Sequence, residues 1–185
     1  MAHALRNPLS SVKIALQAMD RDAPPPHARR ARLALREVRK MERLLSAVAE
    51  CGSSPHMLTH VCDVSDLVSS CAADVEEELA LRQTCVNVLG DVERGSGRCD
   101  AGRVRPLLAQ LLLECADRRG GRPVEVKLRA REAAVELQLP LVQGVRGSSV
   151  TTCVEALGLL LAPGGGGVEW GEDGSALVIR FPAAR

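Results

Sequence analysis

Tyrosine is absent, and phenylalanine and tryptophan occur once each in 185 residues. Almost nothing is available on which unpaired bases could stack, which argues against single-stranded nucleic acid as a partner. Charge of one sign is lacking too. The 24 Lys+Arg and 23 Asp+Glu leave a net charge of +1, with no electrostatic pull toward nucleic acid or a membrane surface. Long apolar runs are missing: Leu157–Ala162 is among the longest, far below the roughly 20 residues that span a bilayer. The opening Met1-Ala2-His3-Ala4-Leu5-Arg6 has no charged segment leading into an apolar one. A cytoplasmic protein with no nucleic-acid and no membrane partner is expected.

The seven cysteines (Cys51, Cys62, Cys71, Cys85, Cys99, Cys115 and Cys153) contain no C-x-x-C pair, and their number is odd. A disulfide framework or zinc ribbon is not expected, and most should be small buried apolar residues in a reducing compartment. Cys51, His56, His60 and Cys62 place four possible ligands within twelve residues. Their spacing matches no common zinc finger, so this segment reads as a linker and no metal is assigned.

What is present is an apolar fraction of 46% with 25% charged residues, enough for a packed core in a soluble α+β protein. Leu5, Leu9, Val12, Leu16 and Met19 recur at 4-3-4-3 spacing, the seam of a helix in a bundle. Asp20–Pro26, ending in three prolines, stops that helix and leaves His27 in a loop. A second seam follows at Ala31, Ala34, Val38, Met41, Leu45 and Val48, closing at Cys51-Gly52. A lone hairpin leaves both stripes partly uncovered, so a homodimeric four-helix bundle is expected. The domains read as a helical hairpin over 1–52, a linker over 53–60 and a small α/β sandwich over 61–185.

In the second half Val61–Val64 reads as a short strand, Asp66–Arg82 as one helix and Cys85–Val92 as a strand. Arg94-Gly95-Ser96-Gly97 reads as a loop and Asp100–Arg119 as an apolar helix. Val124–Arg129 and Val135–Leu141 alternate as antiparallel strands, Val150–Leu161 is a helix, Gly164–Gly167 a turn, and Val168–Trp170 with Ala176–Phe181 a final hairpin. Helices packed on one sheet follow from this order.

The stretch His3-Ala4-Leu5-Arg6-Asn7-Pro8-Leu9 resembles the H-box of histidine kinases, fitting six of its seven core positions. Its seam spacing puts His3 on the outward face, where an imidazole neutral for part of the time near pH 7 can act as a nucleophile. The resemblance implies that His3 is a phosphoacceptor, that Arg6 and Asn7 orient the phosphoryl group or partner, and that Pro8 loosens the helix after the histidine. Family members carry a turn or more of helix before the histidine, where this sequence has Met1 and Ala2, and whether the natural chain extends upstream of Met1 is left open.

The second half resembles the ATP-binding domain of the same family. Cys62–Val68 looks like its opening segment and Leu107–Asp117 like its N-box helix, with Glu114 where an Asn holds the nucleotide's magnesium. Leu139-Pro140-Leu141-Val142-Gln143-Gly144 stands where the family has Asp-x-Gly-x-Gly, with Pro140 in place of the adenine-reading Asp. The lid is reduced to Gln143–Ser149, seven residues. Ala4 replaces the acidic neighbour of the phosphoacceptor. The chain is therefore expected to be a dimeric histidine phosphotransferase of the phosphorelay type. It would bind response-regulator receiver domains, carry no cofactor of its own, and use Mg²⁺ supplied by the receiver. The alternatives are a divergent sensor kinase fragment or a non-catalytic scaffold that sequesters response regulators. Arg29, Arg30, Arg32, Arg36, Arg39, Lys40 and Arg43 form either a landing surface for an acidic receiver or a solvated helix face.

Overall fold

The computed structural model describes residues 2–51, 60–90, 95–141 and 148–184, without the side chains of 2–8, 47–48, 50–51 and 148. Helices α1 (Ala2–Asp22) and α2 (Pro25–Cys51) form the hairpin. Only Ala23 and Pro24 lie between them. The proline run starts the second helix rather than making a loop. Pro25 and Pro26 lack N–H groups that a first helical turn leaves unpaired anyway, and the Pro24 carbonyl accepts from His27 N at 2.9 Å and Ala28 N at 3.0 Å. His27 therefore sits in the first turn of α2, not in a loop. The helices run antiparallel, tied by ion pairs Lys13–Glu42 (2.7 Å) and Arg32–Asp20 (3.4 Å).

The remainder is two-layered. Strands β2 (Val86–Gly90), β4 (Val124–Ala130), β5 (Ala134–Leu139), β7 (Leu177–Pro182) and β6 (Gly167–Trp170) form one sheet in that spatial order. Only the β2–β4 pair is parallel. Alternation decides its two faces. Val124, Val126, Leu128, Val135, Leu137, Leu139, Leu177, Ile179 and Phe181 are buried under helices α3 (Val64–Asp74), α5 (Ala101–Arg119) and α6 (Ser148–Leu161). Each such side chain contributes about 1.5–3 kcal/mol. Glu125, Lys127, Arg129 and Arg180 line the open face.

Two expectations are corrected here. The helix read over Asp66–Arg82 breaks at Val75, giving α3 and a short α4 (Glu76–Ala80). The break sends Val75 and Leu79 into the core and brings Glu78 to α2. The loop read at 94–97 overlaps a strand, β3 (Ser96–Cys99), paired antiparallel with β1 (His60–Asp63). Ser96-Gly97-Arg98-Cys99 has little β-propensity. Tertiary space creates the strand: a Cβ at Gly97 would stand 2.7 Å from Phe181 Cβ and 3.2 Å from Val64 Cγ2, so only glycine lets the segment lie against β7.

Caps fix the helix starts on this small sheet. Asp63 Oδ1 accepts from Ser65 N and Asp66 N at the head of α3, and Asp100 accepts from Arg103 N at the head of α5. Gly120, at φ 58°, terminates α5 in the left-handed region.

Candidate functional site

Helix α1 carries His3, Arg6, Asn7 and Pro8 in its first two turns, and runs unbroken through Pro8. Their side chains lie outside the described residues, so the outward pose of His3 stays an expectation. The antiparallel pairing puts this end of α1 beside the close of α2. The exposed Arg29 and Arg30 lie at the far end of the hairpin, roughly 30 Å along the helix axis at 1.5 Å per residue. His60 begins β1 and is exposed. His56 lies outside the described residues. Among the described residues no group of His, Cys, Asp and Glu is arranged to hold a metal.

The C-terminal part of the basic face of α2 fits neither sequence reading, while Arg29 and Arg30 are exposed. Arg39, Lys40 and Arg43 reach across to the sheet domain. Arg43 grips Glu78 with two guanidinium bonds, Nη1 to Oε1 at 2.9 Å and Nη2 to Oε2 at 3.1 Å. Its Nε donates to Gln110 Oε1 at 3.1 Å, and Arg39 adds a contact to Glu78 at 3.8 Å. Lys40 Nζ stands 2.8 Å from Glu114 Oε1.

Glu114 is 8% exposed. Its Oε1 also accepts from Ser149 Oγ at 2.7 Å and Gln110 Nε2 at 3.1 Å, and Arg118 lies 3.6 Å from Oε2. Burial pushes the Glu114 pKa up. The bonds from Lys40, Ser149 and Gln110, with the Lys40 charge, outweigh that, and the net shift is below the ordinary value. Three donors thus converge on Oε1 of a nearly buried carboxylate, and the Arg118 guanidinium stands beyond hydrogen-bond distance of Oε2. At the end of β5, Leu141 N bonds back to Leu139 O at 2.8 Å. Pro140 thus occupies the centre of a three-residue turn, which its fixed φ suits.

No protein-family model matches the chain, and no curated protein sequence does. Solved structures do. The nucleotide-free catalytic domain of histidine kinase ThkA superposes with a TM-score of 0.54 at 14% identity, covering 69% of this chain and 97% of that one. ThkA in complex with the response regulator TrrA gives a TM-score of 0.63 at 15% identity, over 99% of this chain and 60% of that one. The Acinetobacter baumannii histidine kinase AdeS gives 0.58 at 12% identity, over all of both chains. The fold is that of a histidine kinase core.

On the histidine kinase fold the resemblance read from sequence puts Glu114 at the metal-holding position and Pro140 at the adenine position. The sequence reading singled out both residues by type and order, but not Lys40, Arg43, Glu78, Gln110 and Ser149 as the network around Glu114. A signal was there. Gln110 and Glu114 are the two polar side chains, one helical turn apart, in the otherwise apolar stretch Leu107–Ala116. Polar groups at that spacing on a buried helix need partners. Of the seven-residue lid read over Gln143–Ser149, residues 143–147 lie outside the described residues, and Ser148 and Ser149 begin α6.

Proposed function

We propose that this chain is a histidine phosphotransferase of a two-component phosphorelay, working as a homodimer without ATP. The observation that carries the reading is the Lys40–Glu114 contact. Where the resemblance would place a magnesium-holding Asn, a carboxylate is already neutralised by an ammonium from α2 and bonded by Ser149 and Gln110. With Pro140 offering adenine no carboxylate, these residues do not fit a magnesium–nucleotide pair. Phosphoryl transfer depends on positioning and charge stabilisation, and here both must come from the partner. A receiver domain brings its own acidic cluster and Mg²⁺.

In this reading the His3 imidazole attacks the phosphorus of a receiver's aspartyl phosphate. An N–P bond forms, the acyl O–P bond breaks, and the aspartate leaves as carboxylate. Transfer to a second receiver reverses the step. Arg6 and Asn7, one helical turn beyond His3, would orient the phosphoryl group or the receiver. A second copy would cover the apolar residues that α1 leaves open. Among the described residues no helix is long and apolar enough to cross a membrane.

The deciding experiment is incubation of the full chain with a panel of phosphorylated receiver domains. The expected result is an acid-labile, base-stable phosphate on the wild type, none on His3→Gln, and labelling within about twofold of wild type for His27, His56 or His60 variants. Labelling of the His3 variant would put the acceptor elsewhere. Absence of labelling on the wild type would favour a scaffold that sequesters regulators. Stabilisation of several degrees by millimolar Mg²⁺–ATP, about 1–2 kcal/mol by mass action, would favour a divergent kinase.

A further inference from the structure

Cys62 and Cys99 bring their sulfurs to 3.0 Å across the β1–β3 ribbon. The register explains the approach. Cys62 stands opposite Gly97, and Cys99 lies two residues further along the same face. Gly97 carries no side chain to stand between the two, and the sulfurs meet diagonally across the ribbon. Gly97 is itself demanded by Phe181 and Val64, so packing of the sheet domain keeps the two thiols together. Cys62 is only partly buried, while Cys99 is covered.

The remaining described cysteines are placed differently. Cys71, Cys115 and Cys153 are buried, and burial pushes each thiol up to about 12. Cys85 is exposed, with Asn87 Oδ1 at 3.8 Å. The bond from Cys99 holds the Cys62 thiol below its ordinary value, while that contact and burial push Cys99 up. Exposure distinguishes the two sulfurs: Cys62 is reachable from solvent and Cys99 is sheltered.

We propose that Cys62 and Cys99 are a peroxide-reactive dithiol that closes reversibly to an intramolecular disulfide. The Cys62 thiolate attacks one oxygen of hydrogen peroxide. The O–O bond breaks, a sulfenic acid forms, and the departing hydroxide takes up the proton that Cys62 released on ionising and leaves as water. The Cys99 sulfur then attacks the Cys62 sulfur. The S–S bond forms, the S–O bond breaks, and the hydroxyl leaves with the Cys99 proton as a second water. Two thiols and one peroxide become one disulfide and two waters. The bond would join the residue just before the Asp63 cap of α3 to the residue just before the Asp100 cap of α5. It would therefore tie together the starts of two helices that build the core.

The test is peroxide titration of the full chain, alkylation of remaining thiols, and peptide mapping by mass spectrometry. The expected result is a single Cys62–Cys99 linked species, lighter by about 2 Da, reversed by dithiothreitol. Its thermal midpoint should rise by about 5 °C or more, because the closed loop restricts the unfolded chain. Cys62→Ser should abolish the link. Cys99→Ser, should it fold poorly, is replaced by Cys99→Ala. With either variant Cys62 should stop at sulfenic acid, detected with a dimedone probe. A link from Cys62 to any other cysteine, or both thiols still free to alkylate at a peroxide dose that oxidises Cys85, would overturn the proposal.

Discussion

The hairpin and the sheet domain bury their apolar residues in opposite ways. Beneath the sheet, side chains from α3, α5, α6 and four strands close into one dry cluster around Phe181 and Leu111. In α1 none of the described side chains is buried, and Val12, Ile14 and Met19 are 48%, 66% and 46% exposed. Helix α2 stands between the two. Ala28, Ala31, Leu35 and Val38 are buried, while its charged side chains hold the sheet domain. One region is complete within a single chain. The other presents an apolar stripe of the kind that a bundle partner covers. Burial in the single chain therefore separates residues enclosed on folding from apolar residues that a second copy, as proposed, would cover.

The largest effect should come from the complete region. Phe181→Ala is expected to cost about 3–5 kcal/mol, since the ring is fully enclosed and its loss leaves a cavity between β7 and the helices. Urea unfolding would measure it. A loss under 1 kcal/mol would mean that the sheet domain is not the rigid part.

The junction comes next. Lys40→Ala should cost about 2–3 kcal/mol, toward the low end for a buried pair because the Lys40 side chain keeps 29% exposure. The same pair sets a pH dependence. The folded pKa of Glu114 lies below its ordinary 4.5, so its stabilisation is present above that value and lost as pH falls through the folded pKa. Between pH 7 and pH 3 the wild type should lose more stability than Glu114→Gln, measured by urea midpoints at each pH. Equal losses would show that the carboxylate is not engaged with α2 in solution.

The smallest effect on folding, and the sharpest break of the comparison, is Val12→Asp. At 48% exposure the new carboxylate remains solvated in the single chain, so monomer stability should change by less than about 0.5 kcal/mol. The proposed homodimer should nevertheless dissociate, because the charge would fall in the stripe that the proposal places between copies. Light scattering at micromolar concentration is the readout. Val38→Asp, at 4% exposure, should instead unfold the hairpin itself.

Much of this architecture was legible in the residues. Heptad spacing announced both long helices, and strict alternation in Val124–Arg129 and Val135–Leu141 announced a one-sided sheet, because those periods follow from local backbone geometry. The break of α3 at Val75 and the strand at Ser96–Cys99 were not legible. Val75 is no helix breaker and Gly97 speaks locally against a strand, and each segment takes its conformation from what it packs against.

The same division runs through the candidate site. His3-Ala4-Leu5-Arg6-Asn7-Pro8, Glu114 and Pro140 stand out by residue type and order alone, since the chemistry of an imidazole, a carboxylate or a ring-locked backbone belongs to the residue. Partners belong to the fold. A row of arginines and lysines on α2 specifies charge and leaves open what meets it. Only the packing of α2 against α5 and α6 brings Lys40 to Glu114 and Arg43 to Glu78. Only the pairing of β1 with β3 sets Cys62 against Cys99. Contacts between residues 35 to 74 positions apart in the chain have no local signal, because the free energy that selects them comes from burying the surfaces on which they lie.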